Sequence, residues 1–160
     1  MDNIKLQIRA FEAADIEKLS AIWFASSCRA HAFLGEARLR EQRTLVEEAY
    51  LPNSETWVAC LDDVPVGFIG LIDSFIGGLF VDPGRQGSGI GRALADHALG
   101  LKGELELEVY AENHAACAFY RRLGFAEVSR RAEDDEGLPF EVILMRFRNI
   151  DCFASRVVGA

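Results

Sequence analysis

One stretch limits what this chain can become: Phe75-Ile76-Gly77-Gly78-Leu79-Phe80-Val81-Asp82-Pro83-Gly84-Arg85-Gln86-Gly87-Ser88-Gly89-Ile90-Gly91-Arg92-Ala93-Leu94. Its apolar run stops at Asp82-Pro83, where proline cannot extend a strand ladder. A glycine-dense turn follows, after which Ile90, Ala93, Leu94, His97, Ala98 and Leu101 recur at helical spacing. Strand, glycine turn and helix start together aim several unpaired backbone N–H groups at one point, with the positive end of the helix dipole behind them. Such a point attracts phosphate.

Spacing excludes two familiar phosphate loops. A Walker loop needs Lys-Ser/Thr after its last glycine, but here Gly84 and Gly89 are followed by Ile90-Gly91. A dinucleotide fingerprint counted from Gly87 and Gly89 meets Arg92 where its last glycine belongs, and the stretch lies mid-chain rather than after a first strand. Glycines alone favour an ordinary glycine-rich turn.

The 160 residues suit one domain able to bury a sizeable core, and 50% hydrophobic content argues against disorder. No apolar run reaches bilayer-spanning length, and Met1-Asp2-Asn3-Ile4-Lys5 lacks the pattern of a signal peptide. Cys28, Cys60, Cys117 and Cys152 have no CxxC spacing, so reduced thiols in a cytoplasm are expected, with no metal and with Cys60 and Cys117 filling core space. Lys+Arg 17 against Asp+Glu 25 leaves a net charge of −8, which argues against nucleic acid as a partner. That balance is compatible with a cationic acceptor, but a surface that is acidic only for solubility is the favoured reading.

The rest of the chain reads as alternating elements. Leu6-Gln7-Ile8-Arg9 predicts a short first strand, followed by a helix from Glu12 with Ile16, Leu19, Trp23 and Ser26 on one side and Asp15 in its first turn. An irregular segment, 26–35, holds His31 and Phe33, and a charged helix over 36–50 is expected to stop at Pro52. Strands are predicted over 56–61, 66–72 and 75–81, with a turn at Asp62-Asp63-Val64-Pro65. Beyond Gly103, Glu104-Leu105-Glu106-Leu107-Glu108-Val109-Tyr110 alternates strictly, a strand with one apolar face. Asn113 can cap the next helix, Gly124 ends it in left-handed fashion, and Phe125 then folds back against Tyr120. Closing strands are predicted over 125–130 and 140–147, around a polar loop containing Asp134, Asp135 and Glu136. Residues 1–148 are expected to form the domain and 149–160 a C-terminal tail.

Two motifs at this separation resemble those of the GNAT superfamily of N-acetyltransferases. Gln86-Gly87-Ser88-Gly89-Ile90-Gly91 resembles that family's Q/R-x-x-G-x-G/A signature. Asn113-His114-Ala115-Ala116-Cys117-Ala118-Phe119-Tyr120 with Leu123-Gly124-Phe125 is similar to its N-x-x-A-x-x-x-Y-x-x-x-G-F. The resemblance is strong over 56–130 and weaker over 4–23. It implies a single-domain α/β (α+β) fold, a mixed and mostly antiparallel sheet with a splayed parallel strand pair and flanking helices. It also implies acetyl-CoA as acyl donor and no metal. Carried over by position, the amides of Gln86, Gly87, Ser88, Gly89, Ile90 and Gly91, with Arg92, would hold the pyrophosphate. The main chain of Leu79, Phe80 and Val81 would pair with pantetheine, and Asn113 would touch the cofactor arm. Tyr120 would act as general acid to the leaving thiolate, with backbone amides stabilising the oxyanion.

The acceptor implied is a primary amine, on a small molecule or a peptide or protein. His31, Phe33 and Glu108 are its candidate contacts, and the family is compatible with a homodimer. No carboxylate lies within the strand 75–80, so the base that deprotonates the amine is unassigned, with Glu106, Glu108 and His31 as candidates. Gly77 and Gly78 either leave room for a larger acyl group or mark a bulge. Two other classes stay open: a non-catalytic acyl-CoA sensor, and a transferase for another donor or acceptor.

Overall fold

The computed structural model describes residues 5–148; the expected tail, with Cys152, lies outside them. The chain divides into two compact units, Met1–His97 and Ala98–Ala160, and each is taken by itself.

The first unit opens with β1 (Leu6–Ala10), a 3-10 turn (Ala13–Asp15) and α1 (Ile16–Ala30). The segment expected to be irregular from residue 26 is still helical to Ala30, because nothing between Ser26 and Ala30 breaks the ladder and Ser26 and Ser27 are buried against the unit's interior. Asp15 does more than favour a dipole. Its carboxylate takes two 2.8 Å bonds from the Arg9 guanidinium and one of 2.9 Å from the Glu12 N–H, which ties β1 to the start of α1.

A second helix runs in three pieces, α2 (Glu36–Leu45), a π-turn (Val46–Tyr50) and α3 (Leu51–Asn53). Pro52 therefore does not stop it. Leu51 N–H reaches back to the Val46 carbonyl, five residues away, and this wider turn precedes the proline, which sits in the first turn of a new helical piece where its missing N–H matters least. Asn53 and Ser54 side chains take the carbonyls of Ala49 and Tyr50 at 2.6 and 2.5 Å and end the helix there.

Strands β2 (Glu55–Leu61), β3 (Val64–Ile72) and β4 (Phe75–Val81) form an antiparallel meander with β1 beside β2. The β2–β3 hairpin turns on Asp62 and Asp63 alone, both at positive φ (49° and 67°), the arrangement that matches strand twist and that short polar side chains tolerate. Leu19, Trp23, Leu39, Leu51, Val58 and Phe68 are the heart of this unit's core. The helix α4 (Ile90–Lys102) follows the glycine turn. Ile90, Leu94, Ala95 and Ala98 are buried, while Leu101 is 50% exposed and does not continue the apolar face as expected.

In the second unit β5 (Glu104–Tyr110), α5 (His114–Leu123), β6 (Ala126–Arg131) and β7 (Val142–Arg148) make an antiparallel layer with β7 between β5 and β6. The alternation read from β5 holds: Leu105, Leu107 and Val109 are buried, and the glutamates between them meet arginines. Glu104 pairs with Arg148 at 3.4 Å, Glu106 with Arg146 at 2.6 Å, and Glu108 with Arg131. The acidic loop is less open than its composition suggests. Asp134 is 6% exposed, accepts the N–H groups of Glu136 and Leu138, and receives the Tyr110 hydroxyl at 2.9 Å. Asp134 is thus a loop organiser and not a free anion, whereas Asp135 stays at the surface beside Arg131. Cys60 and Cys117 are buried thiols, as expected.

Candidate active site

The glycine turn is built from both ends. At the strand end Asp82 N–H bonds the Val66 carbonyl at 2.8 Å. The Asp82 carboxylate accepts Gly84 N–H at 3.0 Å, which winds Pro83–Arg85 into a short 3-10 turn. At the helix end Ile90 is buried. A Cβ on Gly67 would lie 3.2 Å from the Ile90 side chain, so the absence of one lets the first turn of α4 seat closely on β3. Ser88 Oγ donates to the Arg85 carbonyl across the turn. Between these anchors Gly87 and Gly89 adopt φ of 82° and 84°, which glycine accepts without strain. The first helical bond is Ala93 N–H to Gly89 O, at 3.0 Å. Among the described residues no acceptor takes the backbone N–H groups of residues 86–92, and 84–89 are exposed. These amides, at a helix N-terminus, can hold an anion with several donors at once. Arg92 is exposed and lies 3.8 Å from Asp96.

Upstream, Leu79, Phe80 and Val81 are half-buried on β4. The Phe80 ring packs edge-on to Trp23 (centroids 6.3 Å apart) and tilted against Phe68 (5.5 Å). The paired glycines mark a bulge: Gly70 faces Gly78 and Leu71 faces Ile76, leaving Gly77 as the extra residue. The space they leave is filled. Cβ atoms at Gly70 and Gly77 would lie 2.3 and 2.7 Å from the Tyr50 hydroxyl, and one at Gly78 would lie 3.2 Å from it. Tyr50, whose hydroxyl bonds the Gly70 carbonyl at 3.3 Å, is a residue that sequence reasoning missed. Glycines on two adjacent strands were the visible half of the signal; the aromatic that fills the space at Gly70 and Gly77 comes from a distant helix end, and the Phe80 ring of the same strand covers Gly78.

His31 ends α1, its N–H bonding the Ser27 carbonyl at 2.7 Å and its ring standing edge-on to Phe33 at 5.9 Å. Burial pushes its pKa below the ordinary value, so its imidazole is neutral at physiological pH.

In the second unit, Asn113 Oδ1 accepts Ala116 N–H at 3.2 Å and so caps α5. At the other end Gly124 takes φ 111°, and the bonds Gly124 N–H to Arg121 O and Phe125 N–H to Tyr120 O close the expected Schellman motif. The Tyr120 ring lies between Phe119 (5.2 Å) and Phe125 (5.5 Å). It is 8% exposed, no hydrogen bond to its hydroxyl is found among the described residues, and burial raises its pKa above the ordinary value of 10. The phenol is therefore protonated at any physiological pH. Glu108, a candidate acceptor contact, is engaged by Arg131. Among the described residues no group of three or more His, Cys, Asp or Glu side chains is placed to hold a metal, and no helix is long and apolar enough to cross a membrane.

The model of the acetyltransferase (GNAT) family matches residues 16–125, a span that runs through both units. The peptidyl-lysine N-acetyltransferase YjaB of Salmonella typhimurium is 39% identical over 139 residues, covering 86% of this chain and 95% of that protein. YjaB of Escherichia coli is 36% identical, over 89% of this chain and 97% of that one. The solution structure of apo-form YjaB from Escherichia coli matches with a TM-score of 0.83 at 35% identity, covering 90% of this chain and 98% of that chain. The PaiA N-acetyltransferase from Thermoplasma acidophilum, solved in complex with coenzyme A, shares the fold with a TM-score of 0.76 at 19% identity, covering 91% and 99%.

Proposed function

The chain belongs to the acetyltransferase (GNAT) family and is an acyltransferase, and from that premise we propose that it moves the acetyl group of acetyl-CoA directly to the side-chain amine of a peptidyl lysine. The single observation that carries the donor half is the run of unengaged amides over residues 86–92 at the head of α4. Gly87 and Gly89 hold that run in shape, and the pyrophosphate of the donor is the anion it suits. The main chain of Leu79, Phe80 and Val81 then receives the pantetheine arm, and Asn113 contacts it. The acceptor half follows the relatives named as peptidyl-lysine N-acetyltransferases. His31 and Phe33, with Glu108, are its proposed contacts.

The reaction balances without a further reagent. The lysine, as ammonium with a pKa near 10.4, first gives up a proton to solvent or a base. Its nitrogen attacks the thioester carbonyl carbon, the new C–N bond forms, and negative charge gathers on oxygen, where backbone donors stabilise it. The C–S bond then breaks. Tyr120 donates to the departing sulfur, whose thiol pKa is about 8.5, and the second amine proton replaces the one the phenol gives. Burial that raises the phenol's pKa opposes a free tyrosinate, so donation and replacement go together.

Thiol release from acetyl-CoA with lysine peptides tests this. Release should require an unmodified lysine side chain, and an N-terminally blocked peptide should remain a substrate. Tyr120→Phe should lower kcat by roughly tenfold to a thousandfold with CoA affinity unchanged. Tight CoA binding with no turnover on any amine would make the chain an acyl-CoA sensor, and full activity in Tyr120→Phe would return that ring to packing alone.

A further inference from the structure

The bulge on β4 is half of a built feature whose other half is Tyr50. We propose that Tyr50 fixes the length of the acyl group the enzyme accepts, confining the donor to acetyl. The inference rests on the reading above, that the donor's arm runs along β4 from the amides at 86–92. Between Val81 and Gly77 the strand advances four residues, about 13 Å at roughly 3.3 Å per residue. That length suits an extended arm whose pyrophosphate sits at the turn, so the thioester end comes to the bulge. Gly77 there is exposed and unpaired on β3, with Gly78 beside it.

A hollow at that place would admit more than two carbons. Gly70 and Gly77 remove two side chains from one patch of the β3–β4 surface, and the phenol end of half-buried Tyr50 stands in their place, while the Phe80 ring, 2.4 Å from where a Cβ of Gly78 would be, covers the third glycine beside it. The Tyr50 side chain is tethered at both ends. Its hydroxyl donates to the Gly70 carbonyl, and its Cα belongs to the π-turn that also turns Leu51, 0% exposed, into the core. π-turns are often found at functional sites. The phenol is therefore a fixed wall over the bulge. A methyl group fits in front of it, and each further methylene must either displace the ring or stay in water.

The test compares acetyl-, propionyl- and butyryl-CoA with one lysine peptide, by kcat/KM, in wild type, Tyr50→Phe and Tyr50→Ala. A methylene accepted or refused by an apolar pocket is worth on the order of tenfold to two-hundredfold. Wild type should fall by about tenfold or more per added methylene. Tyr50→Phe keeps the wall and should keep those ratios within about threefold. Tyr50→Ala opens the hollow, and its butyryl-to-acetyl ratio should rise by about tenfold or more. A Tyr50→Ala protein that slows equally with all three donors overturns the proposal. So does a wild-type enzyme that uses butyryl-CoA as well as acetyl-CoA, a result that stands even if Tyr50→Ala fails to fold. Wild type that transfers no acyl group from any donor overturns the transferase reading and Tyr50's role with it; transfer without discrimination overturns Tyr50's role alone.

Discussion

Replacing Gly89 with alanine separates a cradle from a mere turn. At φ 84° an L-residue meets its own carbonyl, a strain of about 1–2 kcal/mol. Nothing lies within 4 Å of the Cβ that would be added, so no clash with the protein enlarges that figure. Residues 84–89 are exposed, and the free loop can shed the strain by shifting locally without opening the core. The cost then appears when the ligand calls the amides back into register. At 1.4 kcal/mol per factor of ten, the Kd for CoA should rise by about fivefold to thirtyfold. The thermal midpoint should move by no more than a few degrees. Gly137→Ala is the matched control, since Gly137 has φ 75° and equally open surroundings, but lies in the loop between β6 and β7. It carries the same backbone strain and should leave CoA affinity within about twofold. Titration calorimetry on both variants, with a melt of each, gives the answer. Gly89→Ala with wild-type affinity would mean that these amides do not grip the donor, and equal losses in both variants would mean that the effect is general to the fold.

Gly124→Ala should be far more damaging to stability, because its φ is 111° and the new Cβ would stand 2.6 Å from the Phe147 ring. Strain and overpacking together amount to about 2–5 kcal/mol, a drop of roughly 4–20 °C in a thermal melt; a drop under 2 °C would contradict it. Asp15→Asn leaves Arg9 without its charged partner and should cost about 2 kcal/mol at neutral pH. The acid dependence of that cost has a definite sign. Arg9 holds the Asp15 carboxyl below its ordinary value of 3.8, so the carboxylate's contribution is complete above that pH and is lost as pH falls through the lower, folded value. The gap between wild-type and Asp15→Asn melting temperatures should therefore be flat near neutrality and close in strong acid; a gap that closes between pH 7 and 5 would assign it elsewhere.

What the sequence revealed was local. β4 ends where it was expected because Asp82-Pro83 acts on its own neighbours, and α5 runs from Asn113 to Gly124 because cap residues and a left-handed glycine act within one turn. The alternation of β5 was readable for the same reason, one residue in and one out. The reading of 26–30 as irregular overlooked a stretch with no helix breaker; the other misreadings were non-local or depended on a choice among helical forms. Pro52 stops an α-helix, yet a π-turn ahead of it carried the helix past. Asp134 looks like a solvated charge until the Tyr110 hydroxyl and two loop amides close on it. Gly77 and Gly78 announced a bulge but could not announce Tyr50, 27 and 28 positions earlier, as its filling. Composition says nothing of a shared site; only the family motifs lead to the proposal that Tyr120 and the turn at 86–91 serve one reaction.

The Schellman closure of α5 gives Tyr120 two attachments instead of one. Its carbonyl receives the Phe125 amide at 3.0 Å while its ring leans on the Phe125 ring, so the same neighbour clamps it by main chain and by side chain. A phenol mounted this way behaves like a tool held in a vice. Drift in the loops around it can then reshape the neighbouring surface without loosening the ring, so under the proposed role the acceptor side can change while the group aimed at the sulfur stays put.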